Sequence, residues 1–585
     1  MLKILKNLDK KSIILIFLCF IFISLQVYLE LKMPDYMSKI TVLVQTEGSK
    51  MSEKHQNGMW MMFCALGSLI VTIFVIFMTA NISASFSLLT RKKLFDKVLS
   101  LDYHSVKNFS TSSLITRTTN DITQIEMVIS MGLMLMIKAP ITAIWAITKI
   151  VNKSWQWSMV TAICIIVLLT TISIIMIIVI PRFKIIQRLT DKINGVTREN
   201  LTGIRVIRAF NAEKYQIDKF NKVNDDLTEN LLFNQKKFAI LSPMMYLVMY
   251  FLTLSIYYIG SNLIDISVFS EKISLFGDMI VFSSYAMQII ISFIMLAMIF
   301  MFLPRAGVSA KRINEVLDTP LEIIDGDYSG NTKEKGLIEF KNVSFKYPDA
   351  EEYLLKDISF TAKAGETVAI IGSTGSGKST LINLIPRFYD VTEGNILVDG
   401  IDVKSYKSEN LYNKIGYISQ KAVLFSGNVL YNTGFGESKS KKKKEDLINA
   451  LEIAEAKEFI EKMDNKYNSF ISQGGTNISG GQKQRLSIAR AIARNPEIYI
   501  FDDSFSALDY KTDARLRKKL KNYAKDSTMI IVAQRIGTII NADKIIVLDK
   551  GKCVGIGKHK DLLKSCSVYK QIAESQLSKE ELENA

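Results

Sequence analysis

The segment IIGSTGSGKST, Ile370–Thr380, has the residue types and spacing of a loop that wraps a phosphate group. Its glycines lack a Cβ atom, so the backbone can approach a phosphate closely and adopt positive φ. The loop amides would point at the anion from the N-terminus of the next helix. Lys378 would reach the β- and γ-phosphates of a nucleotide, and the Ser379 hydroxyl would ligate Mg²⁺. The alternative is a glycine-rich turn that binds nothing.

The elements beside this loop are those that a phosphate-binding loop requires. An apolar run, Thr367–Ile371, predicts a strand before it, and an apolar segment, Leu381–Phe388, predicts a helix after it. Upstream, the alternating segment LIEFKNVSFKY from Leu337 predicts a further strand. The second half of the chain is therefore expected to alternate strands and helices around a nucleotide.

The first half of the chain has the composition of a membrane domain. The whole sequence of 585 residues is 48% hydrophobic, and its mean hydropathy is +0.18. Long apolar stretches approach or exceed the roughly 20 residues that cross a bilayer as a helix. The six predicted spans are residues 13–31, 59–81, 129–151, 157–180, 238–260 and 279–303.

The net charge of +16 would fit a nucleic-acid partner, but membrane topology explains much of it. Lys and Arg concentrate before the first span, between the second and third, and between the fourth and fifth. By the positive-inside rule, both termini face the cytoplasm. The five cysteines have no spacing that indicates a metal site or a disulfide framework.

The two long basic connections are helix-like in composition. We expect the membrane helices to continue into them and to end in short transverse helices that touch the nucleotide domain, around Ser110–Leu114 and Ala209–Lys214. The alternative is a pair of ordinary solvated loops.

Four further motifs lie downstream of the phosphate loop: YISQ ending at Gln420, NISGGQKQR from Asn477, IYIFDDSFSALD from Ile498, and IIVAQR from Ile530. With these motifs in this order, the chain resembles an ATP-binding cassette (ABC) exporter half-transporter along essentially its whole length. The resemblance implies a six-helix all-α transmembrane domain followed by an α/β P-loop NTPase domain with a helical subdomain. The expected boundaries are a transmembrane domain at 1–308, a linker at 309–336, a nucleotide-binding domain at 337–577 and a polar tail at 578–585.

The resemblance also implies roles for individual residues, with ATP and Mg²⁺ as cofactors. The Tyr347 ring would stack on adenine, and Gln420 would touch Mg²⁺ and the attacking water. Asp502 would hold Mg²⁺ through water. The remaining ATP-binding residues are Gly372, Ser373, Thr374, Gly375, Ser376, Gly377, Lys378, Ser379 and Thr380. The signature loop for a partner's ATP is Ser479, Gly480, Gly481 and Gln482, and the interface loop runs from Ser506 to Asp509.

Two catalytic positions depart from the family's pattern. Asp503 stands where a glutamate is usual, and Gln534 stands where a histidine is usual. An aspartate carboxylate falls roughly 1.5 Å short of a glutamate's, a misplacement that can cost about 10²-fold in rate. Glutamine donates a hydrogen bond but cannot titrate. The alternative is neutral drift in a working site.

This pattern is similar to one chain of the heterodimeric bacterial exporters, in which one of two ATP sites is degenerate. It predicts a plasma-membrane exporter subunit that pairs with a second half-transporter and moves amphipathic or apolar cargo. The alternatives are a homodimer with two slow sites and a non-transporting subunit that senses ATP. The six spans exclude a soluble nucleic-acid ATPase, and an importer is disfavoured because the resemblance is to fused exporters.

Overall fold

The computed structural model describes residues 2–6, 8–151, 153–330, 332–436 and 443–577, so the predicted tail at 578–585 lies outside the described residues. The chain forms two compact units. The first comprises Met1–Ser100 and Phe109–Thr319 and is called the membrane unit, after the predicted spans. The second comprises Leu101–Asn108 and Pro320–Ala585 and is called the nucleotide-binding unit, after the predicted phosphate loop.

The first half of the chain is helical. Two π-helical stretches connect α5, α6 and α7 without a break: Arg117–Asp121 and Val128–Gly132. The helices are α1 Leu2–Leu5, α2 Lys10–Gln45, α3 Met51–Ser100, α4 Tyr103–Asn108, α5 Thr111–Thr116, α6 Ile122–Met127, α7 Leu133–Ile150, α8 Trp155–Thr202, α9 Ile204–Ala209, α10 Glu213–Ala239, α11 Leu241–Ile266 and α12 Phe269–Asp318.

Within the described residues, 6 helical runs are long and apolar enough to cross a membrane, which confirms the predicted number of candidate spans. Several of these helices continue beyond their apolar stretch, as the sequence predicts. The α3 helix runs from Ala80 on to Ser100, about 30 Å at the usual rise per residue. The α12 helix likewise continues through the first part of the predicted linker to Asp318.

Ion pairs join α2 to α7 within the membrane unit. The Glu30 carboxylate accepts hydrogen bonds from Lys138 Nζ at 2.9 Å and from Gln26 Nε2 at 2.9 Å. Asp35 accepts from Lys149 Nζ at 3.0 Å and from the Tyr285 hydroxyl of α12 at 2.6 Å. Because an unpaired charge is costly in hydrocarbon, each lysine stabilises the carboxylate that it contacts, and each carboxylate stabilises its lysine.

The predicted transverse helices are misplaced. Ser110–Leu114 falls in the membrane unit, whereas the short helix that clusters with the nucleotide-binding unit is α4, Tyr103–Asn108. It starts early because Asp102 accepts a hydrogen bond from the Ser105 amide at 2.9 Å, which fixes its first turn. The second short helix, Ile204–Ala209, ends where the prediction of Ala209–Lys214 begins, and α10 already starts at Glu213.

The nucleotide-binding unit contains sheets of four, six and two strands. The four-stranded sheet has the order β2-β1-β4-β5, the six-stranded sheet β12-β11-β3-β10-β9-β6, and β7 pairs with β8. The strands are β1 Ile338–Phe345, β2 Leu355–Ala362, β3 Thr367–Gly372, β4 Glu393–Val398, β5 Ile401–Asp402, β6 Ile415–Ile418, β7 Gly427–Asn428, β8 Phe470–Ile471, β9 Ile498–Asp502, β10 Thr528–Val532, β11 Lys544–Asp549 and β12 Lys552–Gly557.

The six-stranded sheet places the predicted motifs side by side. Strands β11, β3, β10, β9 and β6 are parallel, and β12 is antiparallel to β11. In the register, Val532 of β10 lies opposite Asp502 of β9 and Ile370 of β3. The loops that follow β3, β6, β9 and β10 therefore leave from the same carboxyl edge, where open α/β sheets bind their ligands.

The helices of this unit lie between and after these strands in the chain. They are α13 Lys378–Asn383, α14 Ser408–Lys414, α15 Val429–Thr433, α16 Lys444–Ile453, α17 Lys457–Glu461, α18 Gly480–Arg494, α19 Tyr510–Tyr523, α20 Ile536–Ile539, α21 His559–Ser565 and α22 Ser567–Glu574.

The helix after the phosphate loop is shorter than predicted. It ends at Asn383 and does not reach Phe388. Pro386 disfavours helical backbone in the residue before it and lacks an amide to continue the hydrogen bonds. Arg387 then adopts φ of 57°, which turns the chain away from the helix direction.

Candidate functional site

The phosphate loop runs from the end of β3 to the first turn of α13. Gly375 and Gly377 adopt φ of 82° and 95°, backbone that a residue with a Cβ rarely adopts. A Cβ at Gly377 would lie 2.6 Å from Leu355 Cδ2, so the glycine is also needed for space. Lys378 Nζ donates to the carbonyl oxygens of Gly372 at 2.9 Å and Ser373 at 2.7 Å.

This loop fits a bound phosphate by two observations. The buried Ser376 Oγ has no hydrogen-bond partner within the described part of the chain, and the space around a Cβ placed at Gly375 is open for 4 Å. Burial lowers the pKa of Lys378, and Asp502 and Asp503 oppose that shift. The loop thus offers donors and a lysine to an anion, as a nucleotide requires.

The predicted Mg²⁺ residues lie together at the edge of the sheet. Ser379 Oγ donates to Asp502 Oδ1 at 2.8 Å, and the Tyr417 hydroxyl donates to Asn383 Oδ1 at 2.9 Å. The second oxygen, Asp502 Oδ2, is 3.5 Å from the Tyr417 hydroxyl. Burial raises the pKa of Asp502 above its ordinary value, and a divalent cation would favour the ionised form. A hydroxyl and a carboxylate are oxygen ligands that suit Mg²⁺.

The three predicted catalytic residues meet at one oxygen atom. Asp503 Oδ2 accepts a hydrogen bond from Gln534 Nε2 at 2.8 Å and one from Gln420 Nε2 at 3.2 Å. Burial raises the pKa of Asp503, and the hydrogen bond from Gln420 opposes the rise. The Asp503 carboxylate is thus held between two neutral amides.

The backbone at Asp503 is held by hydrogen bonds to neighbouring residues. Asp503 adopts φ of 47°, and its amide donates to the Val532 carbonyl of β10 at 3.1 Å. Ser506 of the interface loop donates its hydroxyl to the Asp503 carbonyl at 2.8 Å. Asp509, at the end of that loop, caps α19 by accepting from the Thr512 amide at 2.9 Å.

One residue that holds this part of the backbone was missed from the sequence. Gln576 Nε2 donates to the Gln534 carbonyl at 2.8 Å, and Gln576 Oε1 accepts from the Ile536 amide at 2.8 Å. Gln576 thus contacts the backbone on both sides of Arg535. The sequence did not indicate this role, because Gln576 lies beyond α22 and outside every motif.

Tyr347 lies beside the phosphate loop. Its hydroxyl is 2.9 Å from Thr380 Oγ1, and its ring packs edge-on against Phe345 and Tyr389. A cavity of about 270 Å³ adjoins it. The structure therefore brings the predicted adenine-stacking ring to the helix that follows the loop.

The signature residues begin α18. Ser479 and Gln482 form a reciprocal cap, with the Ser479 amide donating to Gln482 Oε1 at 2.9 Å. Ser479 and Gly480 are exposed. Among the described residues, no hydrogen bond connects this loop to the phosphate loop of the same chain. The signature is therefore presented outward.

A phosphate loop, an apolar strand that ends in a carboxylate and a capped signature helix define an ATP-binding cassette, here in a chain with six candidate membrane spans. The family description "ABC transporter" matches residues 355–506, and "ABC transporter transmembrane region" matches residues 13–293. The chain belongs to the ABC transporter family and has the exporter arrangement, with transmembrane and ATP-binding domains fused.

Similar proteins support this assignment over most of the chain. An uncharacterised ABC transporter ATP-binding protein of Mycobacterium tuberculosis is 37% identical over 516 residues, covering 88% of this chain and 86% of that protein. An ATP-dependent lipid A-core flippase of Haemophilus influenzae is 30% identical over 522 residues, covering 88% of each. The solved structure of a bacterial Atm1-family ABC exporter with ATP bound has a TM-score of 0.82 and 21% identity, and the match covers 97% of this chain and 99% of that one. That structural match shows the fold.

Proposed function

We propose that this chain is one subunit of an ATP-driven exporter whose own ATP site is degenerate and whose signature loop completes the site of a partner half-transporter. The observation that carries the proposal is the hydrogen bond from Gln534 Nε2 to Asp503 Oδ2 at 2.8 Å. The two departures from the family's pattern are neighbours in space, and the resemblance assigns both positions to the activation of water.

The chemistry of these side chains favours binding over hydrolysis. The phosphate loop, Ser379 and Asp502 keep the residue types that bind MgATP. Asp503 has a shorter reach than a glutamate, and its oxygen is already engaged by two amides. The Gln534 amide is uncharged and neither accepts nor releases a proton at neutral pH. The site is therefore expected to hold ATP and turn it over slowly.

The rest of the proposal concerns the membrane. By the positive-inside rule, both termini are placed in the cytoplasm of a bacterial cell. ATP binding would close the two nucleotide domains, and the helices that extend from the spans would carry the closure to the membrane cavity. An amphipathic or apolar cargo fits the apolar spans, and the lipid flippase among the relatives has such a cargo by its name.

Two other functions fit the same sequence. A homodimer would carry two slow sites, and a non-transporting subunit would use ATP as a ligand. In both kinds of dimer Ser479 and Gly480 would serve a site on another chain, so a partner chain with glutamate and histidine at the two departing positions would favour the asymmetric pair.

The test is Asp503→Glu combined with Gln534→His, in the complex purified with its partner. The partner's own phosphate-loop lysine is replaced, so that only this chain's site turns over. We expect the ATPase rate to rise by up to about 10²-fold, since the carboxylate regains its reach. The matched control adds Lys378→Ala to the double variant and should abolish the gain. An unchanged rate with MgATP still bound would overturn the degenerate-site assignment.

A further inference from the structure

A cluster of possible metal ligands lies in the nucleotide-binding unit, and none of its members belongs to the phosphate loop. It consists of Asp102, His104 and Glu322, whose ligand atoms all lie within 4.8 Å of one another. Asp102 and His104 belong to the Leu101–Asn108 segment, which clusters with this unit. Glu322 follows α12.

His104 is held as a metal-binding histidine is held. The residue is 9% exposed, and its Nε2 lies 3.1 Å from Asp349 Oδ2. Nδ1 is buried and has no hydrogen-bond partner among the residues that the structure describes. Glu322 Oε2 lies 3.6 Å from Nδ1, beyond hydrogen-bond length. A carboxylate that contacts one ring nitrogen orients the other nitrogen toward a metal ion.

Asp102 also presents an unused oxygen. Its Oδ2 accepts from the Ser105 amide at 2.9 Å, while Oδ1 is buried and has no partner within the described ranges. A carboxylate oxygen that is buried and unpaired is available to a divalent cation.

We propose that His104 Nδ1, Asp102 Oδ1 and a Glu322 oxygen bind a divalent transition-metal ion, for which Zn²⁺ is the probe. One imidazole and two carboxylates are ligands that Zn²⁺ accepts. Ligand atoms around tetrahedral Zn²⁺ lie about 3.4 Å apart, and Glu322 Oε2 is already 3.6 Å from His104 Nδ1. The adjoining cavity, lined by Asp102 and Glu322, leaves room for water as the fourth ligand.

The metal ion would crosslink two segments of this unit, the segment after α3 and the segment that contains Glu322. His104 also contacts Asp349, which lies two residues beyond Tyr347. The site does not depend on whether the ATP site is degenerate, because none of its ligands belongs to the ATP-binding motifs.

The experiment counts Zn²⁺ bound by the full-length, metal-stripped protein after equilibrium dialysis. His104→Gln and Glu322→Gln remove ligands, and His55→Gln is the matched control because His55 is exposed and hydrogen bonds only to its own helix. We expect His104→Gln to bind one Zn²⁺ fewer per chain, Glu322→Gln to bind it at least tenfold more weakly, and His55→Gln to match the parent. Because the parent and all variants contain the same cysteines, Zn²⁺ bound by cysteines does not contribute to the difference in Zn²⁺ content between them.

Co²⁺ supplies a second measurement that reports the ligands. Its visible absorption bands should appear on binding to the parent protein and be absent in His104→Gln, with ATP binding retained as proof of folding. Equal Zn²⁺ uptake by the parent and His104→Gln would overturn the site. So would a loss of Zn²⁺ in His55→Gln equal to that in His104→Gln.

Discussion

At the scale of single residues, the proposed function rests on a difference between the atoms that would bind MgATP and those that would activate water. The atoms that would hold MgATP, such as Lys378 Nζ and Ser379 Oγ, already contact neighbours that phosphate or Mg²⁺ would replace. The atoms that would activate water are bound to each other through Asp503. A side chain that is one methylene too short has little freedom to correct its position when its oxygen is shared between Gln420 and Gln534.

Substitutions of Tyr347 test whether this site binds ATP through a stacked ring. Tyr347→Ala should weaken ATP binding about tenfold, because stacking on a base contributes about 1–3 kcal/mol. Tyr347→Phe removes only the contact between its hydroxyl and Thr380 and should stay within about twofold. Displacement of a fluorescent ATP analogue from the purified protein measures both.

The matched control for that measurement is Tyr353→Ala, since the Tyr353 hydroxyl bonds to Glu393 at 2.7 Å, outside the phosphate loop. It should bind ATP as the parent does. Equal weakening by Tyr347→Phe and Tyr347→Ala would show that the hydroxyl, and not the ring, serves the nucleotide.

At the scale of elements, periodicity and motif order predicted the six spans and the strands around the phosphate loop. These depend on local signals: long apolar runs, and strands that end in Gly372 or Asp502. The sequence did not predict the position of α4, because a single hydrogen bond to Asp102 decides where that helix begins. Nor did it predict that Lys138 meets Glu30, since a contact between distant helices leaves no trace in the spacing of one chain.

The pair of Glu30 and Lys138 gives a prediction for α2 and α7. Lys138→Met leaves the Glu30 carboxylate without its cation and should destabilise the membrane unit by about 3 kcal/mol. Adding Glu30→Gln should recover most of that loss, because no buried charge is left unpaired. Thermal unfolding in detergent, followed by the change in melting temperature, measures the difference.

An exposed pair provides the control on α8 and α10. Lys219 Nζ lies 2.8 Å from Glu199. Lys219→Met should cost less than about 1 kcal/mol, as surface ion pairs do. If Lys138→Met costs no more than Lys219→Met, the pair on α2 and α7 does not hold the membrane unit together.

At the scale of the whole molecule, no hydrogen bond among the described residues joins the phosphate loop to the signature loop. The phosphate loop lies at the carboxyl edge of the six-stranded sheet, and the signature loop caps α18 with Ser479 exposed. In the proposed pair, this chain's phosphate loop serves the slow site and its signature serves the fast one. Substitutions in the two loops should therefore have unequal effects.

Gly480 and Lys378 test that inequality in the complex purified with its partner. A Cβ at Gly480 meets nothing within 4 Å, so Gly480→Asp fits its own chain and adds a negative charge where the partner's γ-phosphate would lie. We expect Gly480→Asp to reduce steady-state ATP hydrolysis by at least tenfold, with Gly480→Ala close to the parent. Lys378→Ala should leave most of the hydrolysis, because it disables only the slow site. Equal losses in Gly480→Asp and Lys378→Ala would mean two equivalent sites, as in a homodimer, and would contradict the asymmetric pair.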